Sequence, residues 1–329
     1  VRLSLACWDY DRTRALQSGR VRANGIDLVP LVLPVEETFF RMLHYGEFDV
    51  AEMSLSSYVL SLFAPDPQFV AIPVFPSRVF RHGSIYVSAR SEVRQPEDLR
   101  GRIVGIPEYQ MTASVWIRGV LADRHAVPAE SVHYRTGGLH DAGRTEKIAL
   151  DLPERFDVQP IPADRTLNDL LVEGEIDALY TARAPRAFDP SDPDPQVRRL
   201  FADPRAAERE YFAATRIFPI MHTVVIRRDV YEANPWIARS LLDAFTQSKD
   251  RVYPELREIT ALKSMLPWGV NEAEDTVALM GEDFWPYGVG ANRTTLKTFL
   301  RYSHDQGLAK RVLAADDIFA AETGGQLLI

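Results

Sequence analysis

The stretch Ile103-Val104-Gly105-Ile106-Pro107-Glu108-Tyr109-Gln110-Met111-Thr112-Ala113-Ser114 sets a carboxylate, a phenol and an amide in succession between a β-branched run and an apolar-periodic run. Glu108, Tyr109 and Gln110 together offer more proton-transfer and hydrogen-bonding chemistry than a turn requires. A second stretch, Phe75-Pro76-Ser77-Arg78-Val79-Phe80-Arg81-His82-Gly83-Ser84, holds two arginines and a histidine within five positions. A solvated loop would account for it when taken alone, and a ligand-lining loop would account for it equally well. Arg144 closes the glycine-rich run Thr136-Gly137-Gly138-Leu139-His140-Asp141-Ala142-Gly143-Arg144 and has the reach for a ligand carboxylate. Ser54 and Ser56 stand where a short strand meets a helix, a position where hydroxyls cap helices or hold carboxylates.

Such groups act together only if strand ends carry them. Asp98-Leu99-Arg100-Gly101 supplies a turn, Pro107 ends the following strand, and Thr112 is expected to cap a helix from Ala113 to Leu121. In open α/β sheets, ligands sit outside the carboxyl ends of the strands, where helix N-termini offer free N–H groups. Leu3 to Ala6 predicts the first strand, which ends in the aromatic and charged loop Trp8-Asp9-Tyr10-Asp11-Arg12. Further strands are predicted at Ile26 to Val29, Phe48 to Ala51, Ile85 to Ser88, Val132 to Arg135, Val158 to Ile161, Ile176 to Tyr180 and Thr223 to Ile226. Helices are predicted at Val35 to Tyr45, Thr166 to Glu173, Ala206 to Ala214, Pro235 to Tyr253, Asn271 to Met280 and Thr294 to Asp305.

Two segments share a pattern. Phe39, Met42, Leu43, Gly46, Phe48, Asp49 and Val50 are matched in type and spacing by Leu167, Leu170, Leu171, Gly174, Ile176, Asp177 and Ala178. Each reads as a helix, a glycine stop and a strand, which implies two α/β halves. With Ile85 to Ser88 and Thr223 to Ile226 taken as crossover strands, one discontinuous lobe of 1–86 and 223–329 and a second lobe of 87–222 are expected, with the active site in a cleft between them.

Composition removes several classes of function. The 329 residues are 46% hydrophobic and 26% charged, with 38 Lys and Arg against 46 Asp and Glu and a net charge of −8. No basic run resembles a nucleic-acid patch, and no apolar run is long enough to span a bilayer. The single cysteine, Cys7, excludes an internal disulfide and a CxxC metal site, and reads as a buried strand residue. Neither a Walker loop nor a dinucleotide fingerprint is present, so no nucleotide cofactor is expected. The start of the chain resembles a first strand rather than a signal peptide, from which a cytoplasmic protein is expected.

Arg81-His82, Pro107-Glu108-Tyr109-Gln110-Met111-Thr112-Ala113 with Val115-Trp116-Ile117-Arg118-Gly119, Gly137-Gly138, Gly143-Arg144 and Ile217-Phe218-Pro219-Ile220-Met221-His222 together resemble the 4,5-dihydroxyphthalate decarboxylase family. The architecture resembles the type II periplasmic-binding-protein-like fold, two α/β lobes joined by two crossover hinge strands. The sequence departs from the family pattern at Leu139-His140-Asp141-Ala142, and His140 is not carried over as catalytic.

The resemblance implies loss of one carboxylate from 4,5-dihydroxyphthalate, or a closely related hydroxylated aromatic dicarboxylate, to give protocatechuate and CO2 without a cofactor. Such a reaction needs a proton donor above the ring carbon, a partner for the hydroxyl para to it, and cations for the retained carboxylate. His82 and His222 are the candidate donors, Glu108 the acid or the hydroxyl acceptor, and Arg81 and Arg144 the carboxylate anchors. Trp8, Tyr10 and Tyr109 are candidates to sandwich or hydrogen-bond the ring, with Ser54 as a further substrate contact. His82, Glu108 and His222 make up a two-histidine, one-carboxylate set, but at no short ligand spacing, so no metal is expected. The rivals are a non-catalytic solute-binding protein for an aromatic carboxylate and an enzyme of the same fold acting on another carboxylated ring or a menaquinone-pathway intermediate. Oligomeric state, a homo-oligomer included, stays open.

Overall fold

The structure, a computed structural model, describes residues 1–324. Its strands in chain order are β1 (Arg2–Ala6), β2 (Asp27–Leu31), β3 (Val50–Ser54), β4 (Phe69–Ile72), β5 (Ile85–Ser88), β6 (Ile103–Ile106), β7 (His133–Thr136), β8 (Val158–Pro160), β9 (Ala178–Tyr180), β10 (Val197–Arg199) and β11 (His222–Arg227). Its helices are α1 (Asp11–Gln17), α2 (Val35–Tyr45), α3 (Leu55–Ser61), α4 (Thr112–His125), α5 (Leu167–Glu173), α6 (Pro204–Thr215), α7 (Arg228–Ala233), α8 (Ile237–Asp250), α9 (Val252–Leu256), α10 (Gly269–Met280) and α11 (Val289–Asp305).

The chain forms two compact units, one of Val1–Arg78, Ile220–Leu296 and Leu313 onward, the other of Val79–Pro219 and Lys297–Val312. These limits differ from those expected from sequence at three places. Ile85–Ser88 pairs with β9 and β10 inside the second unit, so the chain passes between units earlier, at Arg78–Val79. The return falls at Pro219–Ile220 rather than after His222. Lys297–Val312 belongs to the second unit because Phe299 and Tyr302 pack on Trp116, with ring centroids 5.5 and 5.6 Å away, and Tyr302 lies where a Cβ on Gly119 would stand.

The first unit is built on a five-stranded mixed sheet of order β2-β1-β3-β11-β4. β1 runs parallel to β2 and β3, and β11 runs antiparallel to β3 and β4. Alternate residues Leu3, Leu5 and Cys7 of the first strand and its exit, and Val224 and Ile226 of β11, enter one core with Ala15, Leu16, Ile237, Leu241 and Phe245. That is the period-2 pattern of strands packing on helices of period 3.6. α2 buries Thr38, Phe39 and Met42 and stops at Gly46, which is left-handed at φ 56° and donates its N–H to the Met42 carbonyl at 3.0 Å.

The second unit has a six-stranded mixed sheet of order β10-β5-β9-β6-β7-β8. β6 lies parallel to β7 and β9, so the loop after β6 leaves the sheet at strand carboxyl ends. Helix α4 differs from its expected form. Met111, at φ −52° and ψ 128°, takes the cap position and Thr112 is the first helical residue, with the Val115 N–H donating to the Met111 carbonyl at 3.0 Å. The helix also runs on to His125, because apolar burial continues through Leu121 and only Ala126, at φ 51°, turns the backbone left-handed. β4 and β10 carry no alternation long enough to read in sequence.

Candidate active site

In the first unit the candidate residues gather on a carboxylate that sequence reading passed over. Glu52 lies in the middle of β3 with no exposed surface. β11 pairs beside it in the register Val224↔Glu52 and His222↔Ser54, which puts His222 on the same face, diagonally across from Glu52. The His222 Nδ1 is 2.6 Å from Glu52 Oε1, and the Tyr10 hydroxyl donates to that same oxygen at 2.7 Å. The other oxygen, Oε2, accepts the Trp8 backbone N–H at 3.1 Å and the Cys7 thiol at 3.5 Å. Burial by itself would raise the Glu52 carboxyl, but the hydrogen bond and charge of His222, with the Tyr10 bond, outweigh it and hold the group below its ordinary range. Burial, and then the Glu52 charge, push the Tyr10 phenol well above its ordinary range, so it stays a hydrogen-bond donor. An ionised carboxylate only accepts, so Nδ1 carries the proton in this pair and His222 faces Glu52 as a donor. Phe39 meets the imidazole edge-on at 4.9 Å.

Trp8 enters this cluster through its backbone; its indole is 41% exposed. Ser54 ends β3 and caps α3, accepting the Ser57 N–H at 3.5 Å, the ordinary structural use of a hydroxyl at that junction.

The second unit holds a separate charged cluster. Glu108, 2% exposed at the carboxyl end of β6, accepts on Oε1 from Arg144 Nε at 2.8 Å, Arg144 Nη2 at 2.6 Å and Lys147 Nζ at 2.5 Å. Glu108 and Arg144, expected as separate groups, are therefore an ion pair, with Lys147 as an unanticipated third member. Glu146 fastens the same loop, since its carboxylate accepts the Tyr109 N–H. The Gln110 amide, in the orientation its neighbours demand, accepts from Lys147 N–H at 3.3 Å and Ile148 N–H at 2.9 Å.

Tyr109 departs from its expected place against a ligand. It has no exposed surface, its hydroxyl donates to the Gln306 carbonyl at 3.0 Å, and Arg118 lies 3.8 Å over its ring. The two side chains beside it in sequence stay polar at the loop while the phenol turns inward to fill the core. His82 is also set apart. It is 6% exposed, edge-on to Phe201 at 5.3 Å and tilted 5.2 Å from Tyr211, in a small apolar pocket with Arg81, Trp116 and Pro219. Burial, and then His125, lower it to about 4, which leaves the imidazole neutral near pH 7. Arg81 beside it is lowered by burial to about 10, with Glu208 opposing. Among the described residues no three His, Cys, Asp or Glu side chains cluster so as to hold a metal ion, and no helix is long and apolar enough to cross a membrane.

Glu146 gives this loop a measurable signature. Burial raises its carboxyl to about 7, with Glu108 adding to the rise, while the Tyr109 and Gln110 amides and Arg118 oppose it. Its folded value lies above the ordinary 4.5, so the stability this group contributes is complete below about 4.5 and is lost as pH rises through about 7. Between pH 6 and 8 the protein is expected to lose about 1 kcal/mol of stability through this group. Glu146→Gln removes the titration, so denaturant melts of the two proteins should diverge across that interval; parallel stabilities would show that the carboxyl ionises as it does in water.

No family model matches the chain. Among curated proteins, a 4,5-dihydroxyphthalate decarboxylase from Comamonas testosteroni is 40% identical over 319 residues, which cover 97% of this chain and 96% of that protein. The chain belongs to the 4,5-dihydroxyphthalate decarboxylase family. A second member, from Pseudomonas putida, is 40% identical over 64% of this chain and 81% of its own length. The family places the chain among carboxy-lyases, as the sequence motifs implied. Solved structures add the fold. The periplasmic aliphatic sulphonate binding protein SsuA from Escherichia coli aligns at a TM-score of 0.52 and 12% identity over 98% of both chains. The ligand binding component of an ABC-type import system from Staphylococcus aureus aligns at 0.51 and 11% identity over 97% of this chain and 96% of that one. The expected periplasmic-binding-protein-like α/β fold is thus present in a decarboxylase-family chain.

Proposed function

We propose that this protein decarboxylates 4,5-dihydroxyphthalate, or a closely related hydroxylated aromatic dicarboxylate, with His222 as the proton donor and no cofactor. The observation that carries the assignment of the donor is the pairing of His222 Nδ1 with a fully buried carboxylate at 2.6 Å. That pairing fixes the ring and leaves Nε2 to hold the proton that is transferred. The hydroxyl para to the departing carboxylate pushes electron density into the aromatic ring. His222 then protonates the carbon bearing that carboxylate and gives a dienone-like intermediate. The C–C bond breaks, its electron pair restores the aromatic ring, CO2 leaves, and His222 regains a proton from solvent. Glu52 stabilises the imidazolium before transfer, and Tyr10 shares Glu52 Oε1 so that the carboxylate cannot swing away.

In the second unit, Arg144 and Lys147 both hold the Glu108 carboxylate. Arg144 acts here as the partner of Glu108, since both its Nε and Nη2 are spent on that carboxylate. The test is direct: purified, chelator-treated protein is incubated with 4,5-dihydroxyphthalate and with phthalates hydroxylated elsewhere, and CO2 and protocatechuate are measured. Stoichiometric release from the 4,5-isomer is expected. Binding of the whole panel without CO2 release would replace this reading with that of a solute-binding protein.

A further inference from the structure

Arg12 is a cation beside the Glu52 cluster with no role so far. Its guanidinium carbon lies 4.2 Å from the ring centroid of Tyr10 and 4.2 Å from that of Trp285, so the cation contacts two aromatic side chains. Both are fixed from behind: the Tyr10 hydroxyl on Glu52 at 2.7 Å, and the Trp285 indole N–H on the Phe75 carbonyl at 2.8 Å. The Arg12 Nε donates to the adjoining Pro76 carbonyl at 2.6 Å, which locks the rotation of the fork. Nη1 meets Asp11, whose side chain is half exposed, at 3.0 Å. Nη2 has no protein acceptor among the described residues. The Arg12 side chain is only 16% exposed, an unusual outlay for an arginine whose carboxylate partner is its own sequence neighbour at the surface.

A guanidinium held against two aromatic rings and hydrogen-bonded at Nε has lost much of its rotamer freedom before any ligand arrives, the condition under which a carboxylate is bound tightly and directionally. It also shares Tyr10 with the His222 and Glu52 pair, within the same unit. We propose that Arg12 is the specificity-determining residue of this cluster, receiving on its Nη2 edge the carboxylate that the reaction retains and so selecting aromatic ortho-dicarboxylates over aromatic monocarboxylates. This rests on the reading of His222 as the donor to the other, departing, carboxyl-bearing carbon.

The experiment uses phthalate and benzoate, which carry two and one carboxylates on the same ring and have no hydroxyl to support turnover. Their affinities for the parental protein, Arg12→Gln and Arg12→Lys are measured by titration calorimetry, alongside KM and kcat for 4,5-dihydroxyphthalate. The parental protein is expected to prefer phthalate. Arg12→Gln should weaken phthalate by about 10- to 100-fold and benzoate far less, and the loss of turnover should appear chiefly in KM. Arg12→Lys keeps the charge but neither the fork nor its planar stacking, and should fall between the two; it also serves if the Gln variant does not fold. A phthalate preference undiminished in both variants overturns the proposal. The two readings part cleanly: an Arg12-dependent preference in a protein that releases no CO2 would sink the assigned activity and leave this inference standing. CO2 release together with a preference indifferent to Arg12 would do the reverse.

Discussion

His222→Asn is expected to lower the single-turnover rate of decarboxylation by about 10²- to 10⁴-fold, the usual contribution of a positioned general acid, while the substrate still binds. Asparagine keeps a hydrogen bond to Glu52 and roughly the size of the ring, so the packing against Phe39 is disturbed little. What it removes is the proposed proton donor, which its neighbours do not replace: burial and Glu52 hold the Tyr10 phenol, and likewise the Cys7 thiol, well above their ordinary ranges. Glu52→Gln provides the companion measurement. It leaves the imidazole in place but takes away the carboxylate that orients the ring, so turnover should fall while the substrate still binds. Parental rates for His222→Asn across pH 6 to 8 would remove His222 from the proton step and turn attention to Glu146, whose carboxyl burial raises to about 7.

How far this site could be read from sequence depends on what each residue's signal consists of. His222 stands out in sequence as an imidazole in the segment leading into the Thr223 to Ile226 strand, and in the structure it is the first residue of β11. Glu52 was missed because the strand was ended at Ala51; in fact it runs from Val50 to Ser54, and a carboxylate inside a fully buried strand was itself the available signal. Its importance comes from β11, whose register against β3 is a pairing between positions 170 residues apart. Spacing along the chain does not encode that. Arg12 was visible only as one charge in a mixed loop, since the Trp285 that contacts it arrives from far along the chain. Tyr109 and His82 show the opposite failure. Their types suited the chemistry, but local pattern does not reveal whether a side chain in a loop turns outward or into the core. The helix–glycine–strand repeat, in contrast, depends on neighbouring residues alone, and both Gly46 and Gly174 stop their helices in the left-handed region, at φ 56° and 78°.

Glu108→Leu is expected to destabilise the protein by about 2 to 4 kcal/mol, the order found when one member of a buried ion pair is removed, lessened by the partial exposure of its partners. The carboxylate takes three charge-assisted hydrogen bonds on one oxygen, and its loss leaves Arg144 and Lys147 facing each other with no anion between them. Their repulsion acts on a loop otherwise held by the Glu146 and Gln110 contacts, so hydrogen exchange at the Tyr109, Lys147 and Ile148 amides should quicken well before global unfolding. The triple variant Glu108→Leu, Arg144→Met, Lys147→Met separates charge from packing. With both cations gone, no like charges face each other at this position, and apolar side chains of similar length fill the same space, so most of the lost stability should return. A triple variant as unstable as Glu108→Leu would locate the loss in side-chain shape rather than in charge.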